Sequence, residues 1–259
     1  MPEKMNCNLK IHKTPKAEVL LGLDPSSWNL KIPQGPEGIY RLAQLDDDFV
    51  VSRDRLPWKS PATLNLRARA AASNIPGTWG FGFWNDPFSH SLGLGGGTRR
   101  FPALPNVAWF FFASPQNYLS LRDDLPANGF IAQTFHSPRL SNPLLALGVL
   151  GSPLLLLPSL ARKLRSSFRS LVAEDSFPLS IDVTQWHRYT LEWRIDQVIF
   201  KAGNQTFETR ITPNAPLGFV LWIDNQYAAF PPSGKLSYGT LGNPQPAWLE
   251  IEEFSLENG

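Results

Sequence analysis

The run Gly77-Thr78-Trp79-Gly80-Phe81-Gly82-Phe83-Trp84-Asn85-Asp86-Pro87 decides how this chain folds. It leads into a glycine-rich loop. Beyond the loop come Asn106-Val107-Ala108-Trp109-Phe110-Phe111-Phe112-Ala113 and then Phe130-Ile131-Ala132-Gln133-Thr134-Phe135-His136-Ser137. All three runs are short and apolar, rich in aromatic residues and bounded by turn formers. They read as three neighbouring strands of one large sheet.

The flanks agree with that reading. On the N-terminal side, Leu64, Leu66, Ala68 and Ala70 alternate with Asn65, Arg67 and Arg69, so one face is buried and the other solvated. Trp28 to Ile32 and Gly38 to Leu42 are read as two further half-buried strands, and Ala17 to Leu21 as a strand or short helix. Asp46-Asp47-Asp48 reads as a solvated acidic turn, because no glycine or glutamate downstream completes a calcium loop. Leu92 to Thr98 lacks the lysine and the helix of a phosphate cradle and reads as a flexible loop. On the C-terminal side, Trp186–Arg194 and Gln197–Ala202 form a hairpin about Ile195-Asp196, and 205–210 follows the turn Gly203-Asn204. Gly218 to Asn225 is a buried strand carrying an aspartate. Trp248 to Leu256 closes the domain, and its alternation breaks by one residue, which predicts a bulge.

Composition supports an all-β chain. The sequence has 259 residues with 24 Pro, 19 Gly and 9 Trp but only 18% charged residues, as expected of many short strands joined by turns in one domain spanning 1–259. A net charge of +2 argues against nucleic acid as a partner. One cysteine, Cys7, excludes an internal disulfide framework and a cysteine zinc cluster. Met1 to Leu20 has scattered charges and no apolar stretch, so it is no secretory signal, and a cytoplasmic location is expected.

Residues 138–172 depart from the β pattern. Pro143 to Leu157 is apolar. In the following stretch Leu160, Leu164, Phe168, Leu171 and Val172 recur at helical spacing, with Arg162, Lys163, Arg165 and Arg169 on the other face. The apolar part is too short and too broken by Gly-Ser-Pro to span a bilayer. Two short helices are expected, forming a lid over the sheet or a peripheral membrane-surface contact through 143–171.

Taken in order, these segments resemble the concanavalin A-like jelly roll of the family 16 glycoside hydrolases. Gly77-Thr78-Trp79 through Phe83-Trp84 is similar to that family's Gly-x-Trp-Pro-Ala-Phe-Trp strand. Trp186-His187-Arg188-Tyr189-Thr190-Leu191-Glu192-Trp193 is similar to its His-x-Tyr-x-x-Glu-Trp strand. Phe219 to Asn225 and Leu249 to Leu256 resemble its last two strands. The resemblance implies a jelly-roll β-sandwich of two antiparallel sheets with a ligand cleft on the concave sheet. Calcium on the convex face occurs in such proteins, but no carboxylate cluster here calls for it, and no cofactor or metal is expected.

The family's Glu-x-Asp-x-x-Glu motif is missing. Retaining glycosidases need two carboxyl groups about 5–5.5 Å apart. This chain has no carboxylate between Asp86 and Asp123, and Asn106 stands where the nucleophile would be. An amide neither forms a glycosyl ester nor shuttles a proton. Glycosidase activity is therefore not expected. Parity and the resemblance instead place Trp84 with Asp86, Thr134 with His136, and Trp222 with Asp224 on the concave side, beside Asn106, Trp109 and Phe110 or Phe111. The expected site is an aromatic cleft for an apolar small molecule such as a terpenoid, polyketide or lipid. Asp224, then Asp86 and His136, are the candidate acids and bases for cyclase- or isomerase-like chemistry. His187 matches a structural position. The alternatives are a lectin-like sugar binder, or a divergent glycoside hydrolase with relocated carboxylates.

Overall fold

The computed structural model describes residues 9–47, 52–87, 103–140 and 157–259. Cys7, the loop 92–98, Asp48 and most of the apolar run 143–157 lie outside them. In chain order the strands are β1 (Lys10–Lys13), β2 (Glu18–Leu21), β3 (Trp28–Ile32), β4 (Leu42–Asp46), β5 (Ala62–Ala70), β6 (Thr78–Trp84), β7 (Val107–Ala113) and β8 (Gly129–His136). After helix α1 (Pro158–Leu171) come β9 (Ala173–Pro178), β10 (His187–Trp193), β11 (Val198–Ala202), β12 (Gln205–Thr209), β13 (Gly218–Asp224), β14 (Gln226–Ala229), β15 (Ser237–Thr240) and β16 (Ala247–Asn258).

Two seven-stranded antiparallel sheets form a jelly-roll sandwich. The first runs β1-β4-β13-β6-β7-β8-β9 and the second β12-β11-β10-β5-β16-β3-β2; β14 and β15 make a separate hairpin. The three opening runs are the adjacent strands β6, β7 and β8, as their composition predicts. The hairpin β10–β11 forms as expected, and the break in β16 is a register shift between Glu252 and Ser255, with Glu253 at φ 53°.

Alternation on β6 divides the molecule into two cores. Trp79, Phe81 and Phe83 point between the sheets, where they join Phe110, Phe112, Phe130, Tyr189, Trp193 and Phe200. The opposite face of the same sheet carries a second cluster with Val107, Trp109, Phe111, Val220 and Trp222. On that face β6 offers Gly80 and Gly82, which pair with Trp222 on β13 and Trp109 on β7. A Cβ at Gly80 would stand 2.9 Å from Trp222 Cη2 and would also strike the Phe110 carbonyl oxygen. A Cβ at Gly82 would stand 2.6 Å from Trp109 Cβ. The missing side chains are therefore the space into which two indoles lean from the neighbouring strands.

Several local expectations change. Residues 38–41 are not strand, because Arg41 N donates to Asn225 Oδ1 (2.8 Å) and the Arg41 guanidinium donates to Ile39 O and Pro36 O (both 3.0 Å), closing a loop. Asp46 is not in a solvated turn: it ends β4 and is buried. Asp47 accepts Trp58 Nε1–H (2.5 Å) and Phe219 N–H (2.7 Å). In α1 the buried residues are Ala161 and Arg165, not the leucine face, and Leu171 is exposed. Arg165 turns inward because it can satisfy three backbone carbonyls at once: Ser120 O (2.9 Å), Phe230 O (2.6 Å) and Arg122 O (2.9 Å). No helix among the described residues is long and apolar enough to cross a membrane.

The packing of indoles over glycine generates a stability prediction. Gly80→Ala should cost about 3 kcal/mol, the upper end for overpacking a tight core, since both a ring and a carbonyl must move. Urea denaturation would report it as a lower midpoint at unchanged slope; an unchanged midpoint would show that the layer over β6 is loose.

Candidate functional site

The outward face of the first sheet holds most of the expected residues, in a different arrangement. Trp84 and Trp222 stack at 6.3 Å and 10°, Trp109 and Phe111 at 5.0 Å and 15°, and Trp222 lies 5.4 Å from Trp109. This is one continuous aromatic layer. It is not an open cleft: Trp109, Phe111 and Trp222 are all buried. Leu104, Ala127 and Val172 from the connecting segments belong to the same cluster, and Tyr40, Leu119, Leu121 and Phe168 of α1 pack against it. The helix thus contributes to a cover over the aromatic layer. A depression of about 270 Å³ lined by Leu121, Val172, Glu174 and Ile211 borders this cover.

Asp224 ends β13 on this face, two residues beyond Trp222 and directly opposite Thr78. It is buried, and burial pushes its carboxyl up to about 7. Thr78 Oγ1–H donates to Asp224 Oδ1 (2.7 Å), Gln226 N–H donates to the same oxygen (3.3 Å), and the Tyr40 hydroxyl also bonds to the carboxyl. These donors favour the ionised form, but desolvation outweighs them. Trp222 Nε1–H donates to Thr78 Oγ1 (3.0 Å), so indole, hydroxyl and carboxyl form one chain. Burial, and then the charge of Asp224, hold the Tyr40 phenol well above its ordinary range. Tyr40 therefore stays neutral and donating. Asp224 is the group here whose proton is exchangeable near neutral pH.

The other two candidate acid–base groups lie elsewhere. Asp86 follows the far end of β6; Trp84 is six strand steps beyond Thr78, about 20 Å. It adopts φ 47° in a turn whose carbonyls, Asn85 O and Asp86 O, accept from Arg53 (2.7 and 2.6 Å). His136 and Thr134 are on the inward side of β8, in register with Ala132 and Ala108 rather than with Trp109. His136 Nδ1 meets the Thr212 carbonyl at 2.7 Å, which fixes that nitrogen as the donor. Phe110 is likewise in the core between the sheets, not on the ligand face.

Asn106 is at the Trp84 end and is fully engaged. Its Nδ2 donates to Ser137 O and Ser137 Oγ (both 3.0 Å), and its Oδ1 accepts Ser137 N–H (3.1 Å) and Asn214 N–H (2.9 Å). All four valences of the amide are used to tie three loops together, so it holds structure rather than ligand. Trp84 differs: its Nε1–H is buried and finds no acceptor among the described residues.

Three polar features of this face were missed from sequence. Trp109 Nε1–H donates to Gln133 Oε1 (3.0 Å), and Gln133 Nε2 donates to Glu174 (3.0 Å). The pair of Tyr40 and Thr78 around Asp224 is the second. The third is His12 Nε2, 3.3 Å from Asp46 Oδ2, an imidazole–carboxylate pair joining β1 to β4. Parity on β8 alone would have found Gln133; the others depend on long-range strand pairing.

No protein-family model matches the chain, and no curated protein matches it. Similar solved structures include a legume lectin-like domain from Entamoeba histolytica (6% identity, TM-score 0.49, covering 97% of this chain and 90% of that one). A β-1,3-1,4-glucanase (lichenase) from a mouse hindgut metagenome shares 9% identity at TM-score 0.48, with 98% and 94% covered. The Bacillus licheniformis β-glucanase shares 10% at TM-score 0.45, with 100% and 96% covered.

A carboxyl held near 7 in the fold but near 3.8 unfolded binds more protons in the native state. Stability from it is full below the unfolded value and falls as pH rises through the folded one, by about 4 kcal/mol at most. Asp47, raised to about 6 by burial, acts in the same direction. The melting temperature should therefore fall between pH 5 and 8. Asp224→Asn should flatten that slope and be more stable than the parent at pH 8. A melting temperature that rises across this interval would contradict the assignment.

Proposed function

We propose that the covered aromatic layer is the binding face for an apolar small molecule, and that Asp224 is its proton-exchanging group. The observation that carries this reading is a buried carboxyl at about 7, joined through Thr78 to the indole of Trp222. A sugar cleft presents exposed rings among many hydroxyl partners. Here the rings are packed against each other and under α1, which suits a ligand that enters a dry site. The buried N–H of Trp84, without an acceptor among the described residues, supplies one directional contact to a ligand oxygen. With Asp224 protonated, the site has an acid facing an aromatic surface that stabilises developing positive charge. That combination fits cyclisation or isomerisation of an unsaturated or oxygenated hydrocarbon. The described part of the 138–172 insertion is tied to the body through Arg165, consistent with a lid.

The test is a panel of terpenoid, polyketide and fatty-acid ligands beside neutral oligosaccharides, read by tryptophan fluorescence and thermal shift. Apolar compounds should quench the indoles and raise the melting temperature. Trp222→Phe, which keeps the layer filled, should weaken binding about tenfold, near 1.4 kcal/mol. Asp224→Asn should leave binding within a few-fold and abolish any turnover. Failure of every apolar compound to bind would overturn the proposal.

A further inference from the structure

Helix α1 carries a leucine row that the two cores do not use. Its inward side is Ala161, Arg165 and, at the C-cap, Val172, with Phe168 beside them packed edge-on to Phe230 (6.5 Å, 84°). At 3.6 residues per turn, Leu157, Leu160, Leu164 and Leu171 fall within about 60° of one another, about a quarter turn away from that side. The row is about 21 Å long. Leu157 and Leu171 are 54% and 47% exposed, and Leu160 and Leu164 are half-buried. Among the described residues none of the four joins or packs against either hydrophobic core.

The row is held outward. Turning it under the helix would pull Arg165 off the carbonyls of Ser120, Arg122 and Phe230. The turn between β14 and β15 also lies hard against the first helical turn: a Cβ at Gly234 would stand 2.3 Å from Pro158 O and 2.8 Å from Arg162 Cγ. Charge then selects what covers the row. α1 holds four cations, Arg162, Lys163, Arg165 and Arg169, and no acid. Arg165 and Arg169 pair with Asp123. Lys163 borders the row and Arg162 lies further round the helix; both are exposed, with no carboxylate partner among the described residues. A second copy packed row against row about a two-fold axis would bring the two Lys163 side chains together. A partner helix would meet a seam broken at Ser167, where the alternating three- and four-residue spacing calls for the next leucine. An apolar phase tolerates that serine. Ser167 Oγ–H donates to Lys163 O (3.1 Å) and Ser170 Oγ–H to Ser167 O (2.8 Å), so neither hydroxyl brings an unmet donor with it.

We propose that α1 is an interfacial helix that seats this domain on an anionic lipid bilayer. At 14 residues it is too short to cross and lies along the surface. The leucine row enters the boundary between headgroups and acyl chains, and Lys163 beside it meets the lipid phosphates. The inference stands apart from the apolar-ligand reading, because it concerns the outward row of the helix and not the aromatic layer beneath it. Either holds without the other.

The test is flotation of the full chain with vesicles of phosphatidylcholine alone and with about one-third phosphatidylserine. The chain should float with the anionic vesicles, bind the phosphatidylcholine vesicles about tenfold more weakly, and come off as salt rises from about 0.1 M to about 0.5 M. Leu160→Ser combined with Leu164→Ser should weaken binding about tenfold or more without lowering the melting temperature. Lys163→Glu should weaken it about tenfold. Lys10→Glu makes the same charge change on β1, at the opposite edge of the first sheet from β9, and should leave binding within about twofold. Three results overturn the proposal: no flotation with anionic vesicles at the lower salt, binding that survives the double leucine variant, or equal losses from Lys163→Glu and Lys10→Glu. If vesicles fail, the same double variant names the true occupant. A lowered melting temperature would assign the row to the chain's own run 143–156, and loss of a dimer in sedimentation velocity would assign it to a second copy.

Discussion

The structure depends on what β6 withholds from one of its faces. Towards the sandwich interior this strand supplies Trp79, Phe81 and Phe83, and they anchor the main core. Towards the outside it supplies Gly80 and Gly82, and the indoles of Trp222 and Trp109 take the room so left. A strand with side chains on both faces would hold those rings away from the sheet. With glycine there, two tryptophans from different strands come within 5.4 Å of each other and a second apolar layer forms. The cover of α1 and the segments around Leu104 and Ala127 then has a surface to pack on.

That layer sets the electrostatics of its edge. A carboxylate at the end of β13 would ordinarily be solvated. Under Tyr40 and beside Trp222, Asp224 loses more to desolvation than its hydrogen-bond donors restore, and its proton is retained to about 7. Asp47, also buried but bonded to Trp58 and Phe219 N–H, is raised less, to about 6. The same desolvation that makes Asp224 a useful acid makes the native state weaker at high pH, so stability and proton chemistry are linked at this one residue.

The sheet strands were largely legible in the sequence, because each buried run is bounded by turn residues and the alternation on β5 is strict. Edges were not. β1, β9 and the β14–β15 hairpin are short and mostly half-exposed or exposed, and nothing in their composition separates them from loop. The site was half legible. Trp84, Trp109, Phe111, Trp222 and Asp224 do share a face, because parity along a strand is a local property. Thr134 and His136 were set on the wrong face, and the choice between Phe110 and Phe111 stayed open, because relating parity between strands requires their register, and register is fixed by pairing partners rather than by sequence. Asn106 and Arg165 show a further limit. An amide with four bonds and an arginine that folds under a helix owe their roles to backbone groups 31 to 108 residues away.

The central claim is that this outward face holds, against aromatic rings, a carboxyl that keeps its proton up to about pH 7. Its most direct measurement is a titration of the aspartate side-chain carboxyl carbons by NMR, with Asp224 assigned by its loss in Asp224→Asn. The account predicts a midpoint for that resonance near 7. A midpoint near 4, the ordinary range of a solvated aspartate, would contradict it.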